Sequence, residues 1–516
     1  MIISNQISKA ALHTSCSYRF SLRQKLFKII LANINKVGCL LLASCAVQTV
    51  SAQQKPNVIM IYIDDLGYGD LSCYGATKIA TPNVDRLAKN GLKFTNGHTT
   101  SATCTPSRYA LMSGEYPWRE KGRNILAGDD ALILSTSKTS LPKVFKAAGY
   151  QTAIVGKWHL GLGDKVGKDW NGDISPGPNE VGFDYSFIFP ATADRVPTVF
   201  MENHRVIGLD KGDSIVVSYR KKVGDEPTGK EHPELLKLNH SYGHDFTIVN
   251  GIGRIGYMSG GKKARWTDEE LAPTFLSKAM QYIEKNQKNP FFLYYALNDI
   301  HVPRMPATMF KGKSEMGYRG DAILEMDWAV GEITKQLDRL GLTKNTIIIF
   351  SSDNGPVLDD GYADEAIAKQ NGHSPAGPLR GFKAEIYEGG TRVPFIVSWP
   401  GKIKAAQSDA MVNQVDLLAS FASYLKVPIK AGEAGDSENH FEAFTGKNPI
   451  GRKVMIEEGY SNLAIVKQDW KYIPPFGKNA EQLYNLKADL SEKSNLADKF
   501  PEKVKELKSL LATISK

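Results

Sequence analysis

The sequence predicts a mostly parallel, three-layer α/β domain followed by a small α+β subdomain. Three observations carry that prediction. Short, continuously apolar and β-branched runs recur along the chain, as strands buried on both faces require. Helix-like amphipathic stretches separate them, the alternation that gives a parallel sheet covered on both sides. Several of the runs also end in Asp, Asn or His, the polar groups expected beyond the carboxyl ends of parallel strands.

In chain order, Asn57 to Ile63 is the first run and ends at Asp64-Asp65. Pro82 to Asn90 reads as a helix with Pro82 in its first turn and Thr81 as its cap. A helix-like stretch from Leu141 to Ala148 precedes a strand from Tyr150 to Val155. The segment from Asp164 to Lys263 is rich in Gly, Pro, Asp and Lys and reads as surface insertions, where substrate selectivity usually resides. Phe291 to Ala296 and Thr346 to Ser351 are further buried strands, separated by the amphipathic stretch Asp321 to Leu340, and Val393 to Ser398 is another. Val412 to Leu425 reads as a helix and Lys430 to Gly446 as a polar connector. Short strands at Val454–Glu458, Leu463–Lys467 and Trp470–Ile473 and a helix from Pro501 onward form the tail. The expected organisation is a leader over 1–52, a catalytic domain over 53–445 and a C-terminal subdomain over 446–516.

The net charge of +9 does not describe the folded part. Residues 1–52 hold Lys9, Arg19, Arg23, Lys25, Lys28 and Lys36 and no acid, so without them the charge is only +3. A basic nucleic-acid footprint therefore has no support, and no nucleic-acid partner is expected. The leader has the layout of a signal peptide: an apolar run from Val37 to Val47, then Val50-Ser51-Ala52 ahead of a cleavage before Gln53. Leu42-Ala43-Ser44-Cys45 is the alternative, a lipoprotein box that would tether the chain to a membrane through Cys45. Of five cysteines only Cys73 and Cys104 lie beyond the leader, so no disulfide framework is expected. Few cysteines and a single sequon, Asn239-His240-Ser241, fit a periplasmic or secreted bacterial protein.

Asp64, Asp65, Asp353 and Asn354 end two of the buried runs, and four oxygen-bearing side chains without thiolates suit a hard cation. Taken singly, each pair reads equally well as turn residues. In Cys104-Thr105-Pro106-Ser107-Arg108, Pro106 suits a first helical turn. That places Cys104 where orphan N–H groups and the helix dipole favour an anion. Read bare, Cys104 is either a low-pKa thiol or an ordinary buried cysteine.

Cys104 to Arg108 resembles the maturation signal of the formylglycine-dependent sulfatases, a family with the alkaline phosphatase-like fold. The likeness runs from Pro56 to at least the Val393 strand. Asp64 and Asp65 match the family's first metal pair, and Asp353 and Asn354, in Ser352-Asp353-Asn354-Gly355, its second. Lys157 and His159, in Gly156-Lys157-Trp158-His159-Leu160-Gly161, match its basic pair, and His301 its leaving-group histidine. Lys383, just before Glu388-Gly389-Gly390-Thr391-Arg392, matches its last sulfate-binding lysine.

The resemblance implies one Ca²⁺ held by Asp64, Asp65, Asp353, Asn354 and the oxidised residue 104, and conversion of Cys104 to formylglycine by a formylglycine-generating or anaerobic sulfatase-maturating enzyme. It implies that a hydroxyl of the hydrated aldehyde attacks sulfur while Ca²⁺, Lys157 and Lys383 draw charge from the sulfate oxygens and Arg108 steadies the diol. His301 then protonates the leaving alcohol, and His159 removes the second hydroxyl proton to expel sulfate. The local likeness around Cys104 and from Arg195 to Val206 is to bacterial arylsulfatase and N-acetylgalactosamine-6-sulfatase types. The expected substrate is accordingly a sulfated glycan, with exo-acting release from galactose or N-acetylgalactosamine. Asp194, Arg195, His204 and His373 are candidate substrate contacts, each with a solvated-loop reading beside it. His98 and Trp158 read as structural and Cys73 as a small buried residue. Two other functions are open: phosphate ester hydrolysis on the same fold, and glycan binding by an inactive relative.

Overall fold

The computed structural model describes residues 55–516, so the expected leader, its cleavage site and Cys45 lie outside the described residues. Pro56–Lys516 forms a single compact unit. Its frame is a ten-stranded sheet. The labelled strands are β1 (Asn57–Ile63), β2 (Leu92–Phe94), β3 (Gln151–Lys157), β4 (Tyr185–Phe189), β5 (Phe291–Ala296), β6 (Thr346–Ser352) and β7 (Phe395–Ser398). Across the sheet the order is Ala406–Ser408, β2, β7, β6, β1, β5, β3, β4, then the short edge strands Met201–Glu202 and Arg205–Val206. The central five, from β6 to β4, are all parallel.

Every residue of β1 is buried, which is why the strand reads as a continuous apolar run. Its side chains alternate between two cores, as a pleated strand demands. Val58, Met60 and Tyr62 join one cluster. That face is covered by α2 (Cys104–Ser113), α3 (Leu141–Ala147) and α6 (Leu417–Leu425). Ile59, Ile61 and Ile63 join the other. There the cover is α1 (Pro82–Lys89), α4 (Leu271–Asn286) and α5 (Gly317–Arg339). The result is the three-layer sandwich expected from the alternating pattern.

Several local expectations change. Thr81 sits at the start of α1, but its hydroxyl faces Ser72 and Asp85 rather than the helix amides. The cap comes from α5 instead: the Asp327 carboxylate accepts from the N–H groups of Asn83 and Val84 at 3.0 and 2.9 Å. The helix expected over Val412 to Leu425 begins only at Leu417. Val412–Asn413 is a short strand paired with Gly97–His98, and Asn413 accepts from the Val415 N–H. Gln414 is drawn into the sheet by Ser351 and Ser352. Polar side chains that bond the backbone locally compete with helix in this way. Within the connector, Phe441–Phe444 forms a helical turn whose Phe444 stacks on Phe395. The run from Val393 does enter the sheet, but from Phe395 and antiparallel to β6.

The tail folds as a four-stranded antiparallel sheet of β8 (Val454–Glu458), β9 (Leu463–Lys467), β10 (Trp470–Ile473) and β11 (Gln482–Asn485). Helix α7 (Pro501–Ile514) packs on it through Val504, Leu507 and Leu511. No helix among the described residues is long and apolar enough to cross a membrane.

Candidate active site

The parallel core delivers its polar groups to one edge. Asp64 and Asp65 follow β1, Lys157 is the last residue of β3, Asp353 follows β6 and His301 lies beyond β5. Asp65 and His159 have positive φ, 61° and 53°, so both side chains leave the strand ends through backbone that non-glycine residues seldom adopt. Cys104 begins α2, with Thr103 in extended conformation before it. The approach loop is tied down by Thr99, whose hydroxyl donates to the Asp353 carbonyl at 2.8 Å, and by Ser107, which donates to the Ser101 carbonyl at 2.7 Å.

These groups interlock. Lys157 Nζ lies 2.6 Å from Asp64 Oδ2. Lys383 Nζ bridges Asp65 Oδ2 at 2.9 Å and Asp360 Oδ2 at 2.8 Å. Asn354 Nδ2 donates to Asp65 Oδ1 at 2.7 Å, and Asp353 Oδ1 accepts from the Asp65 N–H at 3.2 Å. Arg108 is wholly buried and aims its Nε and Nη2 at Asp353 Oδ2, 3.0 and 2.8 Å away. Its third arm reaches the Tyr294 hydroxyl. The position of Arg108 is therefore set by the Asp353 carboxylate.

Two buried oxygens in this cluster have no hydrogen-bond partner, Asp64 Oδ1 and Asn354 Oδ1. Burying an acceptor unsatisfied costs stability unless something else meets it. Asp64, Asp65 and His301 also bring ligand atoms close enough together to share an ion. Orphaned oxygens on an oxygen-rich donor set fit a hard cation held by Asp64, Asp65, Asp353 and Asn354.

The two histidines differ in presentation. His159 Nε2 lies 2.9 Å from the Leu126 carbonyl, which only an N–H can satisfy, leaving Nδ1 as a lone pair 3.4 Å from Cys104 Sγ. Burial, with Lys157 and Arg195 nearby, holds its pKa well below the usual imidazole value, so it faces residue 104 as a base. His301 has the opposite tautomer: Nδ1 donates to the Val302 carbonyl at 2.7 Å, and Nε2 looks toward Asp65 and Asp360 at 3.8 and 4.0 Å. Burial also pushes the Cys104 thiol up, against the pull of Lys157 and Lys383. The low-pKa thiolate reading of Cys104 is thereby removed; an unmodified thiol here stays protonated.

The candidate substrate contacts divide. Asp194 is buried, accepts from Arg195 Nη1 at 3.0 Å and lies 3.0 Å from His244 Nε2. The charge of Arg195 is felt at His159 and that of Asp194 at His301, so both border the centre. His204 and His373, candidates with a solvated-loop reading beside them, have side-chain partners of their own. His204 faces Glu180 at 2.8 Å beside the edge strands. His373 faces Asp70 at 2.8 Å, where Arg319 also docks. Among the described residues no hydrogen bond or ion pair joins either to the centre. Sequence reasoning missed Asp360 and His244. The only signal for Asp360 was an acidic pair shortly after Asp353-Asn354-Gly355; for His244 there was none.

The sulfatase family model matches residues 56–427. The chain belongs to the sulfatase family. It is 51% identical over 496 residues to an N-acetylgalactosamine-6-O-sulfatase of Bacteroides thetaiotaomicron, an alignment spanning 92% of this chain and 97% of that one. Human steryl-sulfatase is 31% identical over 77% of this chain and 71% of its own. A solved structure from work on glycosaminoglycan metabolism by Bacteroides thetaiotaomicron superposes with a TM-score of 0.89 at 51% identity, covering 90% of this chain and 100% of that one. The enzyme is a sulfatase, and the alternatives of a phosphatase and an inactive binding protein give way to sulfate ester hydrolysis. His98 and Trp158 have structural settings: His98 contacts Glu457 and Asn96, and Trp158 donates to the Gly161 carbonyl. Cys73 is half-buried, its thiol pushed up to about 12 by burial and the Asp85 charge.

Proposed function

We propose that this sulfatase removes the 6-O-sulfate from N-acetylgalactosamine, or from its galactose counterpart, at the end of a sulfated glycan chain. The observation that carries the reading is 51% identity, over nearly the whole of both chains, to a relative named for that reaction. The buried Asp194 and His244 and the half-buried Arg195 beside the centre support it, since they offer charged donors and acceptors for sugar hydroxyls.

The four oxygen ligands would hold Ca²⁺, which when bound supplies Lewis-acid polarisation of sulfate oxygens. Residue 104, once a maturating enzyme has oxidised it to formylglycine, supplies a hydrated aldehyde as nucleophile. The remaining work falls to the chain's own side chains. Lys157 and Lys383, drawn inward by Asp64 and Asp65, present two ammonium groups to the anionic ester. His159 Nδ1 stands beside residue 104 to take up a proton. His301 Nε2 is the nitrogen left open to carry a proton to the departing alcohol. Burial, Lys383 and Lys157 depress the His301 pKa, and an anionic ester between the lysines would work in the other direction. The leader over residues 1–52 belongs with export to the periplasm or beyond.

The test is a screen of defined sulfated monosaccharides and disaccharides, using protein whose Cys104 oxidation has been verified by peptide mass. Turnover of N-acetylgalactosamine 6-sulfate above its 4-sulfate is expected. A preference for 4-sulfate, or for aryl phosphate over aryl sulfate, would overturn the reading. In the same assay His301→Ala should lower kcat on sugar sulfates by roughly 10²–10⁴-fold and much less on nitrophenyl sulfate, whose leaving group needs no proton. Equal losses on both would remove His301 from that role. Incubation with a calcium chelator should lower activity and the unfolding midpoint together, because an ion bound only to the native state stabilises it. Lost activity at an unchanged midpoint would argue against the ion filling the orphaned oxygens.

A further inference from the structure

Four large aromatic side chains among the described residues expose more than a third of their surface: Tyr242 at 54%, Phe382 at 40%, Tyr460 at 71% and Phe500 at 38%. Phe500 packs on the Trp470 ring 5.3 Å away, remote in sequence from the centre, whereas Tyr242 meets the edge of the His244 ring at 6.3 Å, beside the Asp194 that borders the centre. Tyr242, Phe382 and Tyr460 belong to three loops far apart in sequence, and each is attached to the surroundings of Lys383. Phe382 is its chain neighbour. Tyr460 donates its backbone N–H to the Ala384 carbonyl at 2.9 Å, from the turn that joins β8 to β9. The Tyr242 hydroxyl donates to the Asp359 carbonyl at 3.3 Å, one residue before the Asp360 that pairs with Lys383. The Tyr242 phenol also feels the charges of Asp360 and Lys383.

The exposed part of an aromatic ring gains nothing from burial, and three such rings on loops joined to one site mark a ligand surface more than chance exposure does. Their location narrows the ligand. Lys383 has only a tenth of its side chain in solvent and reaches Asp65 inside the centre, so all three loops are joined to the surroundings of one residue of the site. Acceptors belong to the same surroundings: the Asp360 carboxylate, paired with Lys383, and the Asp359 carboxylate, which accepts from Ser241 Oγ at 2.6 Å. A pyranose has one face of C–H groups and a rim of hydroxyls, which suits flat rings set among carboxylates. A flat protein interface would more often bury such rings in a continuous apolar patch.

We propose that Tyr242, Phe382 and Tyr460 form a second sugar-binding subsite, which stacks a pyranose adjoining the sulfated residue. This rests on the glycan reading above and adds to it: the enzyme would take sulfated oligosaccharides in preference to the free sulfated monosaccharide.

The experiment compares N-acetylgalactosamine 6-sulfate with an oligosaccharide ending in the same residue, in the mature enzyme and in Tyr242→Ala, Phe382→Ala and Tyr460→Ala. Each substitution should lower kcat/KM on the oligosaccharide by roughly 3- to 10-fold, chiefly through KM, while the monosaccharide changes less than about 2-fold. Tyr460→Phe should keep oligosaccharide activity, since the ring is retained. Equal effects on the two substrates, or none on either, would overturn the subsite while leaving the catalytic reading intact. Should the mature enzyme turn over neither substrate, the proposed function fails instead. Calorimetric binding of the desulfated oligosaccharide then tests the subsite alone: binding weakened by Tyr460→Ala supports it, and no binding to the unmutated enzyme overturns it.

Discussion

Cys104→Ala is expected to lower turnover of aryl and sugar sulfates by about four to six orders of magnitude, as loss of a nucleophile does elsewhere. The fold should survive. Cys104 is buried at 2% exposure, but Sγ makes one polar contact, with His159, and alanine keeps helix α2. The more informative partner is Cys104→Ser. A serine at the start of α2 keeps an oxygen nucleophile among the same lysines, yet a serine sulfate ester has no second hydroxyl with which to expel sulfate. Cys104→Ser should therefore be nearly as inactive as Cys104→Ala, with sulfate bound covalently and visible by peptide mass. Steady turnover by the serine variant would mean that the aldehyde is unnecessary. Full activity in unoxidised cysteine protein would say the same, and the buried, protonated thiol argues against it.

What the sequence made legible follows from how local each signal is. Strand β1 could be read because a strand buried on both faces must be apolar throughout, and the Asp64-Asp65 pair follows from where that run stops. Cys104 could be placed at a helix start because Pro106 suits only the first turn. The reversed direction of β7 has no local signature, since direction is a property of its pairing with β6. The cap on α1 was misassigned for the same reason: Thr81 is adjacent in sequence, whereas Asp327 arrives from α5. Asp360 and His244 escaped notice because each gains meaning from one distant partner, Lys383 and Asp194 respectively. His204 and His373 show the converse, loop histidines near a recognised stretch whose partners, Glu180 and Asp70, are likewise set by the fold. The residues that the fold gathers at the strand ends were legible where residue type and motif coincide. The pocket wall was not, because it is assembled from insertions whose pairing only the tertiary structure fixes.

Lys471→Met should be among the most destabilising single changes in the chain. Lys471 is fully buried on β10, with its Nζ 2.9 Å from Glu388, 3.0 Å from Glu457 and 3.3 Å from Glu492. His98, Glu388 and Glu457 by themselves resemble a metal site, but the ammonium group already supplies the positive charge. Burial acts against the charged lysine, and the three glutamates outweigh it, so Lys471 stays protonated throughout the range of folding. Removing it leaves three carboxylates in the interior with Arg392, paired to Glu388, and the His98 ring, beside Glu457, as the remaining basic partners. Breaking a buried charge set by deleting one partner costs about 3–5 kcal/mol. In the variant the stranded carboxylates have pKa values above those of the unfolded chain, as burial already raises Glu492 to about 7. Unfolding then releases protons, so the deficit grows as pH rises above the ordinary glutamate range and shrinks below it. The cluster also reaches the catalytic centre. Glu492 accepts from the Glu388 N–H, its carbonyl accepts from Arg380 on the Lys383 loop, and the carbonyl of Glu458, next to Glu457, accepts from the Ala102 N–H just before Cys104. Both loops should therefore loosen with the network, and kcat/KM should fall at temperatures where the variant is still folded. Denaturant unfolding at pH 5 and pH 8, with activity measured well below the midpoint, checks all three expectations. Unfolding at the wild-type midpoint at pH 8 would show that the C-terminal sheet is held by its apolar core alone.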